Sequence, residues 1–513
     1  MSGLPRKVLF AVQGGKEGAM FDETELKNNY TFEEKLLMKR EIGELGERFE
    51  VLQQQIKKAG IPVIIVFEGW SASGKGSLIG KLLKFLDPRG VKMYSISEAS
   101  DEEKRKPYMN RFWMRIPGRG EIAIFDRSWY HEWMINEKPA HENEIKTFER
   151  QLTDDGYVIF KFFLHISKKE QEERLDELEK SKATAWRVKK HDRSQNKRYA
   201  KCRSAYDAML EATDYEYAKW QTVSGMDKDA ALREVLACVV KKLEKLSAKV
   251  LKNGPQVMQK TGILPDKMMF EYENKPPIET VNLDCMLSEK EYHKRLDKLQ
   301  DKLLKLSYKL YKKGIPLIIC YEGWDAAGKG GNIKRLVSCF DARDYEVHPV
   351  AAPDSYEKVR HYLWRFQKNI PKTGHIAVFD RTWYGRVMVE RIEGFNTETE
   401  WKRAYNEINE FEKELSDWGA VIVKFWLQID KDEQLARFKE RENTPSKQWK
   451  ITEEDWRNRE KWDEYETAVN EMLRYTSTQY APWHIIESNN KYYARIKAIE
   501  TVVDAVSAAL ENV

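Results

Sequence analysis

The chain has 513 residues, 41% hydrophobic, 12% aromatic and 33% charged, a composition that can build real cores and excludes a disordered tail. With 88 Lys and Arg against 83 Asp and Glu the net charge is only +5, which speaks against a nucleic-acid binder and still allows a local basic groove for a polyanion. Five cysteines (Cys202, Cys238, Cys285, Cys320, Cys339), an odd number without a C-x-x-C, no apolar run near ~18 residues and no signal-peptide core point away from disulfide, zinc-ribbon and membrane classes, toward a soluble cytoplasmic protein. On length alone, at ~150 residues each, about three domains, or two large ones, are expected.

Residues 1–30 show no assignable pattern. Next comes an apolar stripe, Ile42, Leu45, Phe49, Leu52 and Ile56, at helical spacing, with a stop at Gly60. The run Pro62–Gly76, PVIIVFEGWSASGKG, predicts a buried strand and a glycine-rich turn. The runs EIAIF and VIFKFFL predict further parallel strands covered on both faces.

The chain then repeats itself. Pro316–Gly330, PLIICYEGWDAAGKG, matches ten of the fifteen positions of Pro62–Gly76 at an offset of 254. The same offset carries Ile124–Tyr130 onto Val378–Tyr384, and a second stripe (Leu296, Leu299, Leu303, Leu306, Leu310), ending at Gly314, repeats the first. From KFFL (Lys161–Leu164) to KFWL (Lys424–Leu427) the offset is 263, so nine residues enter the second copy near Glu390–Glu400. Trp186, Asp192, Thr213 and Trp220 then fall on Trp449, Asp455, Thr476 and Trp483. The expected organisation is one copy at 31–250, a proline-containing linker at 251–287 able to lie against either copy, and a second copy at 288–513. Each copy reads as an α/β parallel sheet with its ligands at the strand C-terminal ends.

Gly323-x4-Gly328-Lys329 follows a strand and opens a helix, the context in which such a loop cradles phosphates with backbone N–H groups while its lysine reaches the transferring group. Gly330 stands where ordinary P-loops carry the Ser or Thr that binds magnesium, so another oxygen must replace it. Asp325 inside the loop is the candidate, with Asp380 at the next strand end. Arg381 and Arg386 supply charge for phosphoryl oxygens. A third basic cluster, Arg437, Arg441, Lys447 and Lys450, reads as a helical lid. Trp449, Trp456, Trp462 and Tyr465 read as lid and core packing.

Together EGWDAAGKG, YLWRF (Tyr362–Phe366), FDRTWYGRV (Phe379–Val387), RFKERENTPSKQWK (Arg437–Lys450) and APW (Ala481–Trp483) resemble the family-2 polyphosphate kinases. The fused arrangement is similar to the class of polyphosphate:AMP phosphotransferases. The resemblance implies tandem copies of a thymidylate-kinase-like P-loop kinase fold, a parallel sheet with helices on both faces and a helical lid. It implies transfer of the terminal phosphoryl of inorganic polyphosphate to AMP, giving ADP, with Mg²⁺. Asp325 and Asp380 would hold the metal and, with Lys329, Arg381, Arg386 and Arg441, would be catalytic. Gly323, Ala326, Ala327, Gly328, Lys329, Gly330, Lys334, Arg441 and Lys450 would bind polyphosphate. Asp354, Arg360 and Trp364, with Arg381 and Arg386, would bind the nucleotide. Neither nucleic acid nor a membrane is an expected partner; a homodimer is an open expectation.

The first copy keeps Lys75, Asp126 and Arg127 but has Ser71, Glu132, Leu178 and Lys182 where the second has Asp325, Arg386, Arg441 and Pro445. Glutamate in place of arginine turns attraction for phosphate into repulsion. The second copy is thus expected to catalyse, with the first a structural or regulatory partner, as in an ancestral dimer. The competing readings are a polyphosphate-dependent nucleoside diphosphate kinase, an ATP-dependent nucleotide kinase, which Gly330 argues against, and a non-catalytic polyanion-binding module.

Overall fold

The first apolar stripe folds as the helix Phe32–Ala59, started by a Thr31–Glu34 capping box and stopped by Gly60 at φ 65°. Its counterpart, Glu289–Lys313, starts at Ser288 and stops at Gly314 with φ 68°. In both, the basic last turn and the left-handed glycine end the helix where the repeat predicts. The computed structural model describes residues 29–260, 262, 264 and 270–511; residues 1–28 of the unassigned N-terminal stretch and Pro265 of the linker lie outside these.

Two five-stranded parallel sheets form the core. The first holds β1 (Val63–Gly69), β2 (Val91–Ser95), β3 (Ile122–Asp126), β4 (Val158–His165) and β5 (Trp220–Ser224), in the order β2-β3-β1-β4-β5. The second holds β6 (Leu317–Gly323), β7 (Tyr345–Pro349), β8 (Ile376–Asp380), β9 (Val421–Gln428) and β10 (Trp483–Glu487), in the matching order β7-β8-β6-β9-β10. Every residue of β1 and β4 is buried, as strands covered on both faces require. The edge strands are half exposed and carry no continuous apolar run, which hid them in the sequence. Register pairs Tyr321 with Asp380, so the strand-end aspartate sits beside the strand that feeds the phosphate loop.

The nine-residue gain has a structural form. Helix Glu142–Asp154 has 13 residues and its counterpart Glu398–Asp417 has 20, with matching C-terminal ends (154 + 263 = 417). Seven of the added residues (20 − 13) therefore become two further N-terminal turns.

The copies pack about an approximate two-fold axis. The Arg119 amide donates to the Val359 carbonyl at 2.7 Å, and the Thr373 amide to the Arg105 carbonyl at 2.9 Å. These bonds are the same bond exchanged between copies, since 119 + 254 = 373 and 105 + 254 = 359. Reciprocity of this kind defines an isologous contact. Around it Asn110 donates to Gln367, and the buried Arg403 guanidinium binds Asp155 at 3.1 Å. The linker touches both copies: Lys260 N–H donates to the Asp154 carbonyl, while Glu273 and Ile278 are held by Ser477 and Asn470 of the second.

Candidate active site

β6 ends in Gly323, whose φ of 149° and tight approach to β9, where a Cβ would lie 2.7 Å from the Leu427 carbonyl oxygen, exclude other residues. The loop turns through Ala326 at φ 62° and Gly328 at φ 104° into the helix Lys329–Val337. Arg381, directly after β8, is also left-handed at φ 65°. Ala326 and Arg381 are non-glycine residues in a costly conformation, and both stand at the loop and strand end that a phosphate would occupy. The first copy repeats this backbone with Ala72 at φ 60°, Gly74 at φ 97° and Arg127 at φ 63°.

Asp325 is the junction of the site. One carboxylate oxygen faces Arg381 at 3.4 Å, and the other accepts from the Asn458 amide at 3.0 Å. Lys329 donates to the carbonyls of Gly323 and Trp324. Burial lowers its pKa; Asp325 opposes that shift and Arg381 adds to it. Behind the loop, burial pushes the Glu322 carboxyl up, and Thr382 donates to it at 2.7 Å.

A cavity of about 730 Å³ opens over the loop. It brings together Asp325, Ala326, Ala327, Gly328, Lys329, Gly330, Asp380 and Arg381 with Arg441 and Lys450 of the lid. The lid consists of helix Lys431–Glu442, a short turn, and helix Glu453–Glu460. Gly323 borders a smaller adjoining chamber of about 80 Å³, which Met388, Val389, Trp426 and Tyr465 line on its apolar side. Trp462 stacks on Trp324 at 3.7 Å and Trp456 meets Phe438, so these aromatics do pack, while Trp449 is exposed.

Several expected site residues stand elsewhere. Asp354, Arg360 and Trp364 do not line either space. Asp354 caps the short helix Ser355–Lys358. Arg360 is buried against the Tyr356 ring and reaches Glu121 of the first copy at 3.3 Å. Trp364 packs into the hydrophobic core of the first copy. Burial against the first copy keeps Arg360 and Trp364 out of both spaces, whereas Asp354 is exposed and its carboxylate is taken up by the helix cap. Arg386 also points away from the loop, held by Glu390 at 2.8 Å and Glu400 at 3.1 Å above the Tyr362 ring. Lys334 is exposed on the loop helix, outside the cavity lining. Arg437 is buried and braces the loop by donating to the Ala326, Ser488 and Asn489 carbonyls.

Sequence reasoning missed Asn458, Lys491 and Arg495, which line the cavity. The repeat held a signal for two of them: Gln195 and Leu232 stand at the positions of Asn458 and Arg495 in the first copy (195 + 263 = 458; 232 + 263 = 495).

In the first copy the loop is covered. Ser71 donates to Asp192 at 2.6 Å, and its amide donates to Gln195, both on the helix Lys190–Lys197. Lys75 donates to Gly69 and Trp70, and burial draws its pKa down to about 8.

The sheet order, the loop lysine, and a carboxylate and arginine at the neighbouring strand end define a P-loop phosphotransferase. The polyphosphate kinase 2 family model matches residues 33–250 and again residues 286–512, and the chain belongs to that family. It is 39% identical over 505 residues to a polyphosphate:AMP phosphotransferase of Pseudomonas aeruginosa, covering 96% of this chain and 100% of that one. A polyphosphate:AMP phosphotransferase of Acinetobacter johnsonii is 35% identical, covering 87% and 91%. A crystal structure described as polyphosphate kinase 2 from P. aeruginosa PA01 superposes with a TM-score of 0.81 at 36% identity, covering 95% of this chain and 99% of that one. An NDP-polyphosphate phosphotransferase of Ruegeria pomeroyi matches only 44% of this chain, at 35% identity.

Proposed function

We propose that the second copy transfers the terminal phosphoryl group of inorganic polyphosphate to AMP, giving ADP. The observation that carries this is the single cavity where Lys329, Asp325, Asp380 and Arg381 meet lid cations Arg441 and Lys450. A donor without a base needs cations and loop N–H groups but no base pocket, and that is what this wall offers. The acceptor phosphate enters from the smaller chamber beside Met388 and Val389, which opens on Asp325 and Arg381. Relatives that match the whole two-copy length carry the AMP name, which favours the monophosphate acceptor over the diphosphate.

Asp325 and Asp380 are the residues that would hold magnesium. The donor set fits: two hard carboxylates and neither imidazole nor thiolate, suited to an ion that completes its shell with phosphate oxygens. Among the described residues no three His, Cys, Asp or Glu side chains form a site of their own. When bound, the ion neutralises charge on the reacting phosphates. The chain's own residues do the rest: the loop and Lys329 orient the donor, Arg381 holds the transferring oxygens, and the lid excludes water.

The test is a product assay by chromatography with polyphosphate plus AMP, polyphosphate plus ADP, and ATP plus AMP. ADP is expected only from the first pair. Asp325→Asn should lower kcat by about 10³-fold, because it removes a carboxylate that would hold the ion neutralising charge on the reacting phosphates. Lys75→Ala should leave kcat within about twofold. Equal losses would place catalysis in both copies.

A further inference from the structure

The C-terminal helix Lys491–Glu511 packs against the loop helix Lys329–Val337, and the helices Lys228–Asn253 and Lys75–Leu82 do the same in the first copy. There the first copy is apolar: Leu78 and Leu232 are both 3% exposed in one core. The second copy has Asn332 and Arg495 at these positions (78 + 254 = 332; 232 + 263 = 495). Buried Asn332 accepts from the Tyr321 hydroxyl at 2.9 Å and donates to the Ala494 carbonyl at 3.2 Å, fixing the helix one residue before Arg495. Ser77 likewise becomes Gly331, and a Cβ there would stand 3.6 Å from the Arg495 guanidinium. Exchanging an apolar contact for a half-buried guanidinium is unfavourable for packing by itself.

Arg495 lines the wall of the cavity, with its guanidinium 5.8 Å from the Tyr292 ring and 5.9 Å from the Tyr492 ring. Among the described residues no carboxylate pairs with it, whereas Lys447 and Lys491 share Glu440 and Arg381 faces Asp325.

We propose that Arg495 binds the donor chain directly, gripping phosphoryl groups beyond the one at Lys329, and so sets a preference for long polyphosphate. This rests on polyphosphate being the donor. A planar fork suits paired non-bridging oxygens. A contact remote from the reacting bond binds ground and transition states alike, so it acts on KM rather than kcat.

The test compares the whole chain with Arg495→Leu, which installs the first-copy residue, and Arg495→Lys. Tripolyphosphate and long-chain polyphosphate serve as donors to AMP, and calorimetry gives the Kd for long chains at several salt concentrations. Arg495→Leu should raise KM and Kd for long chains about tenfold while kcat stays within about twofold. The preference for long chains over tripolyphosphate should disappear, and the slope of log Kd against log salt should fall by about one. Arg495→Lys should recover part of the affinity. An unchanged Kd and salt slope, or an equal loss for both donors, would overturn the assignment. Failure of the unaltered chain to use polyphosphate with any nucleotide would overturn the donor reading, and the proposal with it.

Discussion

Glu68 and Glu322 occupy the same place behind their loops, each buried and each accepting from one hydroxyl, Ser128 or Thr382. Burial pushes Glu68 up to about 7 from an ordinary 4.5. Between these values the unfolded chain loses its proton and the folded chain keeps it, so stability is full below pH 4.5 and falls as pH rises toward 7. Glu68→Gln should therefore raise Tm at pH 8, by up to about 3 kcal/mol of stability, and leave it unchanged at pH 4.5. Thermal melts at the two pH values check this. A residue letter cannot reveal such a shift, because its cause is the strand packing around the carboxyl. The same limit applies to Arg386. Its position after the strand reads as phosphate-binding, and only the folded chain shows Glu390 and Glu400 holding it away from the loop.

At the level of elements, much of the identity between the copies serves packing rather than chemistry. Lys424 is completely buried on β9, binding Glu412 at 2.7 Å and donating to the Tyr384 hydroxyl and the Thr476 carbonyl. Trp383 also donates to Glu412, and Trp483 donates to Thr476. Lys161, Glu149, Trp129, Tyr130, Thr213 and Trp220 build the same network in the first copy. The WY of FDRTWY thus ties the strand end to a neighbouring helix, while the DR before it faces the cavity. Lys424→Met should strand Glu412 in the core and cost about 3–5 kcal/mol. Denaturant unfolding of the full chain should show it, and Lys161→Met should behave alike although its copy carries Ser71 in place of Asp325.

For the whole molecule, the two-fold contact makes the first copy a fixed partner of the second. Arg403 joins them, binding Asp155 at 3.1 Å and Glu407 at 2.6 Å in buried surroundings. Burial favours the neutral form of Glu407, and Arg403 together with His361 overrides this, bringing it to about 2. Arg403→Ala should leave buried Glu407 without its arginine (Asp155 keeps Arg119 at 3.0 Å), cost about 3–5 kcal/mol and split calorimetric unfolding into two transitions. A single transition at an unchanged temperature would mean that the copies do not depend on this contact. The interface also accounts for Arg360 and Trp364. In sequence they resemble pocket residues because buried aromatics and charges line pockets and domain contacts alike.

The sequence by itself determined the duplication, the parallel-strand architecture, the phosphate loop and the unequal loading of the two loops. These follow from local periodicity and from repeated motifs compared position by position. Only the tertiary structure decided which charges meet. It brought Asn458, Lys491 and Arg495 to the cavity from distant helices, turned Arg386 toward two glutamates, and assigned Arg360 and Trp364 to the contact between copies. The physical reason is that strand and loop chemistry is written in adjacent residues, whereas a cavity wall is assembled from faces whose orientation depends on how whole helices pack.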